Sequence, residues 1–213
     1  MNAPIAPLPA DGTVYLADDE AALRDALGFL FASHGLQVQA FADGRSLLDA
    51  LASASVALPA CILLDVRMDP ISGLQVFDEL RRRDNPLPVI FLSGHGDIAM
   101  AVDALKRGAF DFIEKPFHDA VLIERVYKAL VACREAMAHQ SSARALQSRI
   151  EGLSEREREL MHHVAAGKPN KVIADEMHIA VRTVEVHRSR VFAKLGVRSA
   201  AELASLLARN GLL

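Results

Sequence analysis

The sequence has few cysteines and no long apolar run, and each absence narrows the class of protein. Cys61 and Cys133 are its only cysteines, which excludes a disulfide framework and favours a reducing compartment. No apolar run approaches the roughly 18 residues that a transmembrane helix needs. The first 13 residues lack a basic region followed by a long apolar stretch, so we expect no signal peptide. These features predict a cytoplasmic protein that does not enter the membrane.

A strong excess of positive charge is also missing, since the 213 residues carry a net charge of −3. That average hides two unequal parts. Residues 1–140 have 12 Lys and Arg against 19 Asp and Glu, a net of −7, whereas residues 141–213 have 12 against 8, a net of +4. An acidic part joined to a basic part predicts two domains with different partners. The hydrophobic content of 51% excludes a chain that is disordered throughout.

The acidic part alternates short apolar runs with helical patterns. The apolar runs are 14–17, 38–41, 61–65, 88–93 and 110–113, and the helical patterns between them are 21–33, 44–51, 73–83 and 98–107. Strands that are apolar on both faces and alternate with helices indicate a parallel sheet covered on both sides. The fold predicted for this part is therefore a doubly wound α/β domain with five parallel strands.

No helix breaker occurs between Asp119 and Gly152, and apolar residues recur there at spacings of three or four. They are Leu122, Val126, Ala129, Cys133 and Met137. This pattern predicts one long helix, or two helices with a soft joint near residues 139–142, that leaves the first domain as a linker. An alternative use of the same apolar stripe is a dimer seam.

The basic part has the helix start and stop signals of a four-helix, all-α domain. Ser154 with Glu157, and Ser199 with Glu202, have the spacing of capping boxes at two helix starts. Between them, Asn170 is expected to cap a short helix, and residues 178–180 form a turn before a helix over 182–195. Two short helices joined by a tight turn have the geometry of a helix-turn-helix, whose second helix enters the major groove of DNA.

The second helix of that pair has an apolar side and a polar side. Val184, Val191 and Leu195 predict its core face. Its remaining residues suit phosphate contacts and base contacts, although an ordinary amphipathic helix with a solvated face gives the same pattern. The candidate DNA-binding residues of the domain are Lys171, Arg182, Thr183, Glu185, Val186, Arg188, Ser189, Arg190 and Lys194.

Polar side chains stand where the strands of the acidic part end. Asp18 and Asp19 follow the first strand, Asp65 ends the third, Ser93 ends the fourth and Lys115 follows the fifth. These ends share one edge of a parallel sheet, which is where ligands bind. Three carboxylates there need a cation, and Mg²⁺ suits carboxylates together with a phosphate oxygen. The set predicts phosphoryl transfer to Asp65 as a carboxylate nucleophile.

These residues, with Lys115-Pro116-Phe117, resemble the site of response-regulator receiver domains. The resemblance implies that a sensor histidine kinase phosphorylates Asp65, that Lys115 assists, and that Ser93 and Phe112 form a switch. It implies a cis Lys115–Pro116 bond, and it restricts any catalysis to autophosphorylation from acyl phosphates and self-dephosphorylation. The Mg²⁺ ligands that it implies are the side chains of Asp18, Asp19 and Asp65 and the backbone carbonyl of Arg67.

Two other readings of the acidic site stay open at this point. One is a haloacid-dehalogenase-like phosphatase, which has a second acid two residues after its nucleophile, where this chain has Arg67. The other is a binding module whose receiver is only an interaction surface and is insensitive to phosphorylation. Arg67 and His95, each two residues beyond a predicted catalytic neighbour, are expected to tune hydrolysis of the phosphoryl group.

The stretch from Leu153-Ser154-Glu155 to Ala201-Glu202-Leu203 resembles the DNA-binding domain of LuxR-type regulators, with specific matches at 167–171 and 182–188. The whole chain is similar to FixJ-type transcriptional regulators. The implied organisation is a tail (1–12), a receiver domain (13–130), a helical linker (131–149) and a DNA-binding domain (150–213).

The resemblance to this family also implies partners: a sensor kinase, double-stranded promoter DNA, RNA polymerase, and a second copy of the chain once phosphorylated. The residues expected at the dimer face, on the fourth helix and fifth strand, are Val102, Leu105, Lys106, Asp111 and Glu114.

Overall fold

The computed structural model describes residues 11–53, 58–94 and 98–212, which divide into two compact units between Met137 and Ala138. The first unit holds a five-stranded sheet in which all neighbours are parallel, in the order β2-β1-β3-β4-β5. The predicted five-stranded parallel fold is therefore confirmed. The strands are β1 (Thr13–Ala17), β2 (Gln37–Phe41), β3 (Ala60–Asp65), β4 (Val89–Ser93) and β5 (Asp111–Glu114).

Helices alternate with these strands and cover both faces of the sheet. They are α1 (Ala21–Ser33), α2 (Gly44–Ser53), α3 (Gly73–Arg82), α4 (Ile98–Lys106) and α5 (Asp119–Glu151). Successive residues of a strand point to opposite faces, so Leu16 of β1 packs with Phe31 of α1, whereas Tyr15 packs with Phe77 of α3. The three inner strands β1, β3 and β4 are buried throughout because neither of their faces meets water, whereas the outer strands β2 and β5 are partly exposed.

The first part of α5 belongs to the core of the first unit. Leu122, Val126 and Ala129 are fully buried and Cys133 is 5% exposed, and they complete the hydrophobic clusters on the sheet. The alternative of a dimer seam is wrong for these residues, because the sheet already covers them. The soft joint is absent as well, since α5 continues as one helix to Glu151.

The second unit is helical in its described residues and has its own hydrophobic core. After the end of α5 it contains α6 (Glu155–Ala165), α7 (Asn170–Glu176), α8 (Val181–Leu195) and α9 (Ala200–Arg209). Val184, Val191 and Leu195 are buried in this core, which confirms the predicted inner face of α8. Gly196 ends α8 with φ of 71°, a left-handed conformation that glycine adopts without steric cost.

The three predicted helix caps have different outcomes. Ser154 and Glu157 form a complete capping box at α6. Ser199 caps α9 by accepting from the Glu202 amide, but the Glu202 carboxylate accepts from Arg198 N, so the second box is only half formed. The cap predicted at Asn170 is wrong, because Pro169 holds the N-cap position.

Two expectations from composition concern the described residues as a whole. The helices that the structure describes include none long and apolar enough to cross a membrane. Both cysteines are buried with free thiols, in agreement with the absence of a disulfide framework.

The start of α3 is pressed against the end of β3 at Gly73. A Cβ at this position would collide with the backbone carbonyl oxygen of Asp65 and lie 3.1 Å from Leu64 Cγ, whereas a Cβ at Gly28 on α1 would meet nothing within 4 Å. We expect Gly73→Ala to lower the melting temperature, because backbone must move. Gly28→Ala, the matched control, should raise stability by up to about 1 kcal/mol through helix propensity. Thermal unfolding of both variants checks this, and equal melting temperatures would contradict it.

Candidate functional site

Three strands bring two carboxylates and an ammonium group together at the carboxyl edge of the sheet. Asp18 follows β1, Asp65 ends the adjacent strand β3, and Lys115 follows β5. The Lys115 Nζ donates to Asp18 Oδ2 at 2.7 Å and to Asp65 Oδ1 at 2.6 Å. One lysine therefore bridges two carboxylates that are far apart in sequence.

Backbone amides hold the other oxygen of each carboxylate. Asp18 Oδ1 accepts from Glu20 N at 2.9 Å, and Asp65 Oδ2 accepts from Arg67 N at 2.8 Å. Each amide lies two residues beyond its carboxylate, in the loop that leaves the strand. Both side chains are therefore fixed by local turns before the lysine reaches them.

The charges at this edge do not balance. Asp18 is fully buried and Asp65 is 6% exposed. Burial raises the pKa of Asp65, and the Asp18 charge adds to this rise, although Lys115 opposes it. Burial acts to lower the pKa of Lys115, but its hydrogen bonds to Asp18 and Asp65 raise it overall. Two buried carboxylates share the Lys115 ammonium as a hydrogen-bond partner, so carboxylate charge exceeds ammonium charge at this contact.

This excess makes the site chemically suited to a divalent cation. Asp19 is exposed beside Asp18 and lines a cavity of about 470 Å³ with Arg67 and Asp69. Within the described part of the chain, no three His, Cys, Asp or Glu side chains are already gathered as a metal centre. The carboxylate donors are nevertheless hard oxygen ligands of the kind that Mg²⁺ prefers, so the residues present fit that ion.

The two predicted switch residues lie on β4 and β5 beside this edge. Ser93 is 1% exposed, its hydroxyl donates to Gly94 O, and its carbonyl accepts from Lys115 N at 2.6 Å. The half-buried Phe112 ring lies 6.3 Å from the Phe91 ring, centre to centre. The Lys115–Pro116 bond is cis, as the resemblance implied. His95 lies outside the described residues.

Four of the five residues expected at the dimer face point outward. Val102 and Leu105 on α4 are 45% and 42% exposed, and Lys106 and Glu114 are also exposed. Asp111 differs, because its Oδ2 accepts from Arg125 NH1 at 2.9 Å. Its carboxylate already has a partner within the same chain.

The candidate DNA-binding residues lie on α7 and α8, mostly with exposed side chains. Thr183 and Arg188 are half-buried, and Arg188 NH1 donates to Asn170 Oδ1 at 2.8 Å while its guanidinium covers the Phe192 ring. The exposed members are Lys171, Arg182, Glu185, Val186, Ser189, Arg190 and Lys194.

Lys194 has contacts that its sequence position did not predict. Its Nζ donates to Glu157 Oε2 at 2.6 Å and to Gly152 O at 3.2 Å, so it fastens the end of α8 to the start of α6. The hydrogen bond from Lys194, followed by that from the Ser154 amide, lowers the pKa of Glu157 to about 2. A buried glutamate in a capping box was the available signal for such a partner, but sequence spacing did not identify which lysine.

Sequence reasoning also missed Arg24 of α1, whose NH1 donates to the backbone carbonyl of Asp18 at 2.8 Å. The available signal was a lone basic residue near the start of a helix, where the helix dipole disfavours positive charge.

Comparison with known proteins agrees with this division into two kinds of site. Residues 14–127 match the family described as "Response regulator receiver domain", and residues 151–207 match "Bacterial regulatory proteins, luxR family". The fold and the acidic edge thus define a receiver joined to a helix-turn-helix domain.

Similar proteins cover nearly the whole chain. The C4-dicarboxylate transport transcriptional regulatory protein DctR of Rhodobacter capsulatus is 47% identical over 91% of this chain and 98% of its own. The transcriptional regulatory protein FixJ of Bradyrhizobium diazoefficiens is 39% identical over 95% and 97%. A low-resolution structure of the response regulator StyR has a TM-score of 0.83 and 32% identity, covering 93% of this chain and 98% of that one.

The chain belongs to the response regulators of two-component systems, in the group that joins a receiver to a LuxR-type DNA-binding domain. It is a transcription regulator rather than a dedicated enzyme, so the dehalogenase-like reading is not supported. Its receiver implies a sensor kinase as partner, and its second domain implies DNA as the other.

The Glu157–Lys194 pair predicts how stability depends on pH. Because the pKa of Glu157 falls to about 2 on folding from an ordinary 4.5, its stabilising effect is complete above pH 4.5 and is lost as pH falls toward 2. We expect Glu157→Gln to melt below the wild type at pH 7, by about 4–8 °C for each kcal/mol lost. This gap should close between pH 5 and pH 2 in thermal unfolding. A gap that is constant with pH would contradict the prediction.

Proposed function

We propose that Asp65 accepts a phosphoryl group from a sensor histidine kinase and that this phosphorylation controls binding to promoter DNA. The observation that carries the proposal is the Lys115 ammonium held between Asp18 and Asp65. This arrangement places a buried carboxylate beside a cation that can receive phosphoryl oxygens. The receiver in the same chain as a LuxR-type domain supports the link to DNA.

In the proposed transfer, an Asp65 carboxylate oxygen attacks phosphorus while the bond from phosphorus to the kinase histidine nitrogen breaks. An acyl phosphate is an alternative donor, with the carboxylate as leaving group. Lys115 neutralises charge on the phosphoryl oxygens, and the Ser93 hydroxyl turns to donate to them while Phe112 turns inward. Water later attacks phosphorus and releases inorganic phosphate, which is the self-dephosphorylation expected of this domain.

The Mg²⁺ ion of this proposal would be held by the carboxylates of Asp18, Asp19 and Asp65 and by the carbonyl of Arg67. Receiver domains generally bind Mg²⁺ at their phosphorylation site. The ion would supply the positive charge that the acidic edge lacks once a phosphoryl group has arrived. The excess of carboxylate over ammonium at this edge supports that assignment.

For the DNA-binding domain, we propose that α8 enters the major groove. Arg182, Thr183 and Lys171 suit phosphate contacts, whereas Glu185, Val186, Ser189 and Arg190 face outward for base contacts. Arg188 becomes available for base contacts once its hydrogen bond to Asn170 is broken. Lys194 is not included among the proposed phosphate contacts, because its ammonium group is bound to Glu157.

The proposed organisation keeps a tail (1–12), a receiver (13–130), a linker (131–149) and a DNA-binding domain (150–213), acting with RNA polymerase in the cytoplasm. The α4–β5 face joins two phosphorylated copies.

Phosphorylation of Asp65 is tested directly with acetyl phosphate and Mg²⁺. We expect the wild type to gain the mass of one phosphoryl group and Asp65→Asn to gain none, because an amide nitrogen cannot replace the carboxylate nucleophile. Asp69→Asn, a nearby control, should still be labelled. Intact-mass spectrometry checks all three proteins, and labelled Asp65→Asn would place the acceptor elsewhere.

Dimerisation is tested by light scattering of the full chain before and after treatment with acetyl phosphate. We expect the mass to double, and Val102→Glu to remain monomeric because it replaces an apolar contact of the α4–β5 face with a charge that dimerisation would bury. A dimer would present two copies of α8 to half-sites about 34–36 Å apart. A phosphorylated protein with unchanged mass would contradict the dimer step.

Measurement of DNA binding tests the link to phosphorylation. Equal DNA binding by Asp65→Asn and by the phosphorylated wild type would favour a phosphorylation-insensitive module.

A further inference from the structure

Arg24 contacts the acidic edge through backbone rather than through a carboxylate. Its NH1 lies 2.8 Å from the carbonyl oxygen of Asp18, while the Asp18 side chain is held by Glu20 N and Lys115. Arg24 is the fourth residue of α1. It therefore reaches back from the first turn of the helix to the end of β1.

The contacted carbonyl belongs to the peptide bond that leads into Asp19. A peptide unit is planar, so fixing the direction of its oxygen also fixes the direction in which the chain enters Asp19. The Asp19 carboxylate is exposed and accepts no hydrogen bond from a described side chain. Its orientation therefore depends on its backbone, and the backbone is held by Arg24.

The position of Arg24 carries a cost that this contact offsets. A cation in the first turn faces the positive end of the helix dipole, and a half-buried arginine gives up rotamer freedom. The charge-assisted hydrogen bond to the Asp18 carbonyl compensates, because such bonds are stronger than neutral ones.

We propose that Arg24 is a positioning residue that aligns the Asp19 carboxylate for Mg²⁺ by holding the Asp18–Asp19 peptide. This inference rests on the proposed function of the acidic edge. It assigns Arg24 no contact with the phosphoryl group and no part in proton transfer.

A purely electrostatic role predicts the opposite sign. A guanidinium near a cation site repels Mg²⁺, so removal of the charge alone would strengthen binding of the ion. Loss of alignment weakens it instead. The direction of change in Mg²⁺ affinity therefore separates positioning from simple repulsion.

The test is calorimetric titration of the full-length protein with Mg²⁺ as the probe. We expect Arg24→Met to weaken Mg²⁺ binding about tenfold, the scale of losses from groups that orient metal ligands. Arg24→Lys, which keeps a charge and a donor, should recover part of the affinity. Arg83→Met is the control away from the acidic edge, where Arg83 NH1 lies 3.5 Å from the Leu48 carbonyl oxygen and Nε also donates to Glu79.

A second measurement separates positioning from general damage to the fold. With acetyl phosphate as donor, Arg24→Met should need more Mg²⁺ for half-maximal labelling of Asp65 yet reach the wild-type rate at saturating Mg²⁺. A variant that lost rate at all concentrations, or bound Mg²⁺ as tightly as the wild type or more tightly, would overturn the inference.

The metal site itself is tested separately with Asp19→Asn. If Asp19→Asn bound Mg²⁺ as tightly as the wild type, the proposed metal site would be contradicted, and the role of Arg24 with it. If Asp19→Asn weakened binding and Arg24→Met did not, only the role of Arg24 would fall.

Discussion

The bridge from Lys115 to Asp18 and Asp65 is the interaction on which the site depends. Two buried carboxylates that share one lysine repel each other, and burial raises the pKa of Asp65. The ammonium group opposes the rise that burial produces in the pKa of Asp65. The strand order makes this contact possible, because β1 and β3 are neighbours and β5 delivers the lysine across β4. A doubly wound sheet with another order would leave the same residues apart.

Charge has different uses in the two units. In the receiver, Asp18 and Asp65 are buried together at one edge of the sheet, where their oxygens have the chemistry that suits a divalent cation. In the DNA-binding unit several cations are already engaged within the fold: Lys194 with Glu157, Lys168 with Glu176 and Arg188 with Asn170. The net of +4 counted along residues 141–213 already subtracts Glu157 and Glu176, so it is a modest charge for a DNA-binding unit. A modest charge makes paired DNA-binding domains more important for affinity, because electrostatic attraction to phosphates supplies much of the affinity for DNA.

The sheet and the acidic edge could be predicted from the sequence because both follow from chain order. Apolar runs that alternate with helices specify a parallel sheet, and strand ends place Asp18, Asp65 and Lys115 at one edge. Contacts made by long side chains between elements could not be predicted in this way. Lys194 reaches Glu157 and Arg24 reaches a carbonyl because of rotamers and helix positions that no spacing encodes. The α5 stripe shows the same limit: periodicity identified an apolar face, but the sheet rather than a second chain covers its residues from Leu122 to Cys133.

The position of the strands within the sheet divides the site into parts with unequal numbers of hydrogen-bonded neighbours. β1 and β3, which carry the carboxylates, are hydrogen-bonded to a neighbour on each side, whereas β5, which leads to Lys115, is an edge strand bonded only to β4. Backbone amides of doubly paired strands are the last to exchange with solvent deuterium, and edges open first. Local opening of the edge strand β5 would therefore withdraw Lys115 while Asp18 and Asp65 stay in place on the doubly paired strands.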